Sequence, residues 1–399
     1  MQPFVQSLAT ISALSIIACT PILLSAKPAG ALDSTLLAQV SENAEAYNLR
    51  GVGRMLSGDI KGAIEDFSQA LRIDSNNSMA YSNRGAARLV LKEYQAAIED
   101  CNQALKIDSN NSIAYTNRSL ARLNLGDYKG VIADSNQLLR IDSGDIQAHT
   151  LRSDAHLLLK EYQEAIDGYK QLLRLEPNNY SAYSKLCVTR YLTRDANGAI
   201  RDCNQALLIN PHDAGVYDTR GNAHSYLGNY KEAIKDFNQA LQINPNEASH
   251  YNNRGHARAR SGDHKGAIED FNQALVLDSN NPEYYLLRGN SRARLGKNLG
   301  AIEDYNQALQ INRNSESTKI QADNTIELPD YESAIKDSNE ALGNNPNDVD
   351  AYLNRGIARV LSGDKQGAIA DLQKAADLFQ QQGKTQDYQK IIEILTALK

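Results

Sequence analysis

One tyrosine recurs through most of this chain at a constant step of 34 residues. It stands at Tyr47, Tyr81, Tyr115, Tyr183, Tyr217, Tyr251 and Tyr285, with His149 in the slot between Tyr115 and Tyr183. Its surroundings repeat as well: Ala80 opens Ala-Tyr-Ser-Asn-Arg-Gly-Ala-Ala-Arg, and Ala114 opens Ala-Tyr-Thr-Asn-Arg-Ser-Leu-Ala-Arg. A fixed step of this size implies units that cannot bury their apolar face alone and do so by stacking on their neighbours. The 399 residues therefore read as one elongated body with a continuous core, where length alone would suggest about two or three domains.

Each unit reads as two short helices. Tyr81, Arg84, Gly85 and Arg88 fall at i, i+3, i+4 and i+7, one face of a first helix, A. Ala97, Ile98, Cys101, Ala104 and Leu105 repeat the pattern in a second helix, B. Between them lies Gly58-Asp59, Gly126-Asp127, Gly228-Asn229, Gly262-Asp263 or Gly363-Asp364, a left-handed stop followed by an N-cap. Ten units start near Ala44, Ser78, Ser112, Ile146, Tyr180, Ala214, Ala248, Pro282, Glu316 and Val349, spanning 44–382. The ninth, 316–348, is degenerate: Lys319 fills its tyrosine slot and Asp323 its glycine slot, so a distorted first helix is expected. Residues 383–399 carry Tyr388, Ile391, Ile392, Leu395 and Leu398 on one stripe and read as a capping helix.

The N-terminus differs. Leu8 to Ala26 is nearly all apolar or small, and residues 1–26 hold no acidic or basic side chain. With Ala29-Gly30-Ala31 after it, residues 1–31 read as a signal peptide or membrane anchor, and 32–43 as a linker. Three readings stand: export with cleavage near Ala31, lipidation at Cys19 within Ile16-Ile17-Ala18-Cys19, or an uncleaved anchor over residues 8–26. Cys101 and Cys203 take the place of Phe67, Phe237 and Phe271 and read as small core hydrophobes. Cys187 and Cys203 lie on the two helices of one unit, which leaves pairing in an oxidising compartment open.

The units resemble the tetratricopeptide repeat, as Tyr217, Gly221, Ala233, Ala240 and Pro245 show in one of them. The Asn-Arg-Gly variant resembles bacterial, especially cyanobacterial, members. The resemblance implies an all-α, right-handed superhelical solenoid whose A helices line a concave groove that holds a protein or peptide. It implies a non-enzymatic interaction scaffold without cofactor. The chain departs from the family pattern by placing arginine at Arg50, Arg84, Arg118, Arg152, Arg220, Arg254, Arg288 and Arg355.

A second arginine follows four residues on in Arg54, Arg88, Arg122, Arg258, Arg292 and Arg359. An unpaired buried guanidinium is costly, and helix B supplies Asp66, Asp100, Asp134, Asp202, Asp236, Asp270, Asp304, Asp337 and Asp371. A structural ion-pair ladder within or between units is therefore expected, with the arginines lining the groove as the second reading.

Beside this stripe the units stop agreeing. Asn83, Asn117 and Asn124 give an uncharged strip in units two and three. Asn253, His256, Arg260, Asn290 and Arg294 give a basic one in units seven and eight, suited to an acidic segment. The Asn83, Asn117, Asn253 and Asn354 slot also resembles the asparagine ladder by which some family members hold a peptide backbone. Leu49, Leu151, Lys185, Thr219 and Leu287 break it. The family's clamp for chaperone tails is not matched, because Asp218 and Glu283 would repel a carboxylate.

Nucleic acid is not indicated, since the net charge is −6 and no basic block stands out. No phosphate loop, Gly-x-Ser-x-Gly or His-Glu-x-x-His occurs, and His149 and His156 are too far apart for a compact metal site. The reading is an exported or envelope-associated scaffold, periplasmic or extracellular, that meets a membrane only through its N-terminal segment. The alternative is a membrane-anchored assembly factor with the array in the cytoplasm.

Overall fold

The computed structural model describes residues 43–314 and 331–398. The signal-peptide or anchor segment, Cys19, nearly all of the linker and the first helix of the ninth unit lie outside those residues. The described residues form helices α1 (Ala44–Ser57), α2 (Ile60–Ile73), α3 (Ser78–Val90), α4 (Tyr94–Ile107), α5 (Ser112–Asn124), α6 (Tyr128–Ile141), α7 (Ile146–Leu158), α8 (Tyr162–Leu175), α9 (Tyr180–Leu192) and α10 (Ala196–Ile209). They continue as α11 (Ala214–Tyr226), α12 (Tyr230–Ile243), α13 (Ala248–Arg260), α14 (His264–Leu277), α15 (Pro282–Arg294), α16 (Asn298–Asn314), α17 (Tyr331–Asn344), α18 (Val349–Ser362), α19 (Lys365–Gln381) and α20 (Thr385–Leu398). Among the described residues no strand occurs, and no helix is long and apolar enough to cross a membrane. The chain divides into two compact units, one ending at Arg194 and one beginning at Asp195.

Local chemistry sets the helix ends. Asn77, Asn111 and Asp145 cap α3, α5 and α7 by accepting from the backbone N–H of Ala80, Ala114 and Ala148 at 2.8–2.9 Å. In the B helices Asp59, Asp127, Asp263 and Asp364 accept from Gly62, Gly130, Gly266 and Gly367. Glycine is needed at this third position because the capping carboxylate occupies the place of a Cβ. Where the cap is Glu93, Glu161 or Asn229, the third residue is Ala96, Glu164 or Glu232 and no side-chain cap bond forms. The turn between helices A and B passes through the left-handed region, at Gly126 with φ 78° and, without glycine, at Lys92 with φ 61°.

Packing follows the small residues. Ala80, Ala97, Ala104 and Ala114 are fully buried in the first compact unit, as are Ala233, Ala240, Ala257 and Ala267 in the second. Small side chains let successive helices approach closely. In four repeats an aromatic ring of helix B packs closely against a glycine of helix A: Phe67 on Gly51, Phe237 on Gly221, Phe271 on Gly255 and Tyr305 on Gly289. Cys101 takes the ring's place against Gly85.

The second compact unit closes on a larger core. Ala301, Ile302 and Tyr305 of α16 join Leu353 and Ile357 of α18, Leu372 of α19 and Ile391 and Leu395 of α20. Repeat ten and the terminal helix thus pack on the second helix of repeat eight. Elsewhere in this unit that surface receives the first helix of the next repeat. The terminal stripe gains Ile394, which is buried like Leu398.

Candidate functional site

Most of the repeated arginines are held by a carboxylate, a side chain of the preceding repeat and their own tyrosine ring. Arg84 Nε and Nη2 grip Asp100 at 3.0 and 2.7 Å, while its Nη1 donates to Ser68 Oγ at 3.0 Å. Arg118 grips Asp134 in the same way and reaches back to Asn102 Oδ1 at 2.6 Å. In the second compact unit Arg254 and Arg288 take Asp270 and Asp304, and reach back to Asn238 and Asn272. Arg50–Asp66, Arg220–Asp236 and Arg355–Asp371 complete the set. Each fork therefore joins helices A and B of one repeat, and most tie that repeat to helix B of the one before. The guanidinium also lies over its own tyrosine, as Arg118 does 5.5 Å from the Tyr115 ring centre.

The second arginine closes the other side of the same carboxylate. Arg88, Arg122 and Arg258 lie 2.8, 2.8 and 2.9 Å from Asp100, Asp134 and Asp270. Their Nη1 groups also donate to the backbone carbonyls of Ala96, Gly130 and Gly266 at the start of helix B. The aspartates are buried and the arginines half-buried. Asp304 shows the balance: burial raises its carboxyl above the usual range, against the pull of Arg288 and Arg292. In repeat six His224 replaces the second arginine, 4.0 Å from Asp236. These side chains are architecture, and the ladder arginines do not form an open basic surface.

The neighbouring asparagine slot is more internal than a groove-lining stripe. Asn83 donates to Asn48 Oδ1 at 3.0 Å. Asn117 is buried and donates to the Ser82 carbonyl at 3.1 Å. Asn253 donates to Asp218 at 2.9 Å. All three reach the A helix of the preceding repeat. Lys185 does the same through Asp154 at 2.6 Å, whereas Leu151 and Leu287 are simply buried. The slot is a seam between A helices, polar in some repeats and apolar in others. Asn124 bonds its own helix at the Leu120 carbonyl, and Asn290 accepts from the Tyr305 hydroxyl at 2.8 Å.

The strip in repeats seven and eight keeps two exposed cations. Arg260 and Arg294 both face solvent, and Arg260 Nε donates to the Tyr230 hydroxyl at 3.3 Å. His256 contributes no charge at neutral pH: burial first, then Arg260, holds its imidazole below the usual 6.5. Asp218, the nearby acid, is held by Asn222, His250 and Asn253. Sequence reading did not find Asp218, His250 or Tyr230 as supports. The 34-residue recurrence of Asn102, Asn204, Asn238 and Asn272 was the available signal for the back-reaching contact.

The depressed imidazole predicts a pH effect. Unfolding returns His256 to its ordinary affinity for protons, so the unfolded chain binds more of them below about 6.5. Its contribution to stability is therefore fully present above that value and is lost as the pH falls through it. Unfolding curves across this range are expected to show a shallower pH slope for His256→Gln than for the wild type. Equal slopes would rule out a buried, proton-resistant imidazole.

Models described as tetratricopeptide repeat match residues 78–111, 146–179, 219–247, 282–315 and 321–383, and one described as TPR repeat matches 255–296. No curated protein matches the chain. Among solved structures, a tetratricopeptide repeat protein from Parabacteroides merdae ATCC 43184 is 20% identical, covering 62% of this chain and 98% of its own, with a TM-score of 0.46. MamA from Desulfovibrio magneticus RS-1 is 22% identical over 42% of this chain and 95% of its own, with a TM-score of 0.41. YrrB, a TPR protein with an unusual peptide-binding site, is 19% identical over 46% and 94%, with a TM-score of 0.41. Recurring helix pairs with tyrosine, glycine and alanine at fixed positions, matched along the chain by these family models, place it in the tetratricopeptide repeat family.

Proposed function

We propose that this chain is a non-enzymatic scaffold that binds a polypeptide segment along its A helices, with an acidic stretch seated at repeats seven and eight. The observation that carries this reading is the contrast among its arginines. Those of the ladder are half-buried, whereas Arg260 and Arg294 stand exposed at one position of successive A helices. Asp218, which Asn253 of this strip contacts, takes three side-chain partners. Two exposed guanidiniums on one strip favour a negative partner. Rigid helices carry both residues, so little ordering would accompany binding.

Photo-crosslinking from a helix-A position beside Arg260, followed by identification of the captured proteins, tests this. A partner caught by the wild type is expected to be lost from Arg260→Glu/Arg294→Glu while its melting curve is unchanged. Unaltered capture by the double variant would remove the basic strip from the account.

We also propose that the array is exported or envelope-associated, on the strength of the apolar Leu8–Ala26 stretch and Ala29-Gly30-Ala31. The same stretch supports a second reading, a retained anchor with the array in the cytoplasm. N-terminal mapping separates them: a start at Leu32 supports export, a modified Cys19 supports lipidation and an intact Met1 supports the anchor.

A further inference from the structure

Repeat four breaks the ladder in an informative way. Arg152 keeps one contact common to the ladder, Nη1 to Asn136 Oδ1 of the preceding helix B at 3.0 Å. Its own helix B offers Gly168 where the other paired repeats place aspartate. Ser153 stands in the glycine slot of helix A, as Ser119 does beside the intact Arg118–Asp134 rung, and here its Oγ occupies the place a Cβ at 168 would need. The adjacent Asp167 points elsewhere and is held by Gln163 at 3.0 Å and Lys170 at 3.5 Å.

No carboxylate among the described residues reaches Arg152. Burial alone lowers the pKa of this half-buried guanidinium. Arg118, also half-buried, is by contrast held above its usual value because Asp134 outweighs the burial. With Nη1 engaged by Asn136, the Nε–Nη2 edge is the one that in Arg84, Arg118 and Arg254 grips the carboxylate.

The surroundings are short of negative charge. One repeat earlier the same seam is a cleft of about 410 Å³ walled by Glu99, Lys106 and Arg118. Thirty-four residues on, Ala133 stands for Glu99 and Arg140 for Lys106. His149, in the tyrosine slot, is 9% exposed and bonds Ser143 through Nε2, while its buried Nδ1 has no hydrogen-bond partner.

We propose that Arg152 is a docking point for a carboxylate side chain of a partner polypeptide, which supplies in trans the rung that Asp100 and Asp134 supply in the neighbouring repeats. A planar carboxylate matches the guanidinium edge with two parallel charge-assisted bonds. The inference rests on the reading of the chain as a polypeptide-binding scaffold. It places the contact at a different site from Arg260 and Arg294, on the seam between helix B of repeat three and helix A of repeat four.

The test titrates the full chain with a fluorescent hexaglutamate peptide, in wild type and in the Arg260→Glu/Arg294→Glu background that removes the other basic strip. In that background Arg152→Gln is expected to weaken binding about tenfold, the loss typical of a charge-assisted pair. Arg152→Lys keeps the charge without the fork and is expected to weaken it severalfold. Ser153→Gly/Gly168→Asp rebuilds the internal rung and is expected to block the peptide while raising the melting temperature. Equal affinity of Arg152→Gln and its parent overturns the proposal, as does a rebuilt rung that leaves binding intact. Inorganic phosphate competing as well as hexaglutamate overturns the carboxylate assignment. Loss of the Arg152 effect with the basic-strip effect retained removes this site alone. The reverse result removes the basic strip and leaves Arg152.

Discussion

Asp270→Ala is expected to lower stability by about 3 kcal/mol, near the bottom of the range for breaking a buried ion pair. The carboxylate is buried, and it is gripped by Arg254 at 2.6 Å and by Arg258 at 2.9 Å. Its removal strands two guanidiniums whose side chains are 17% and 24% exposed. Water reaches them in part, which keeps the loss at the low end. Hydrogen exchange in α13 and α14 is the appropriate measurement, because repeat arrays open locally and one global unfolding energy describes them poorly. A loss under about 1 kcal/mol would place the rung with ordinary surface pairs. Replacing all three members, as Arg254→Met/Arg258→Met/Asp270→Leu, is expected to cost less than the single change, since no charge is then left without a partner. The ladder on this view fixes which faces meet and contributes modestly to net stability.

The helix pairs were legible in the sequence because each depends on short-range chemistry. Asx caps, left-handed turns and apolar residues at helical spacing all act within a few residues of one another. The carboxylate partners of the arginines were legible from charge alone, since nearly every A-helix arginine has a B-helix aspartate at a constant separation. The third contact was not, because Arg118 to Asn102 and Arg254 to Asn238 depend on how one repeat sits on another. The asparagine slot shows the same limit. Asn117 looks like a surface amide in the sequence, yet stacking buries it against Ser82. His256 likewise reads as a cation until its burial is known. Arg152 is the opposite case: its missing aspartate is visible in the sequence as Gly168, and the structure adds that Ser153 Oγ fills the place of a Cβ there.

Phe271→Ala is expected to cost about 3–5 kcal/mol, the range for deleting a fully buried aromatic ring. The ring packs with Ala267 and with Leu287 of the next repeat, so the loss should appear in α13, α14 and α15 together. Its partner is the bare face of Gly255, where an added Cβ would lie 2.9 Å from the ring and 3.1 Å from Asp270 Cβ. Gly255→Ala should therefore cost about 1–3 kcal/mol by overpacking, despite alanine's advantage of roughly 1 kcal/mol in a helix. The two costs should not add. With the ring gone, the new methyl loses its closest clash and partly fills the cavity, so the double variant should fall short of the sum by about 0.5–3 kcal/mol. Gly53 is a control: no neighbour lies within 4 Å of a Cβ there, and Gly53→Ala should stabilise α1 by its helix preference alone. Strict additivity at Gly255 and Phe271 would mean that the ring and the glycine are held apart by backbone, and that the recurrence of glycine opposite an aromatic has another cause.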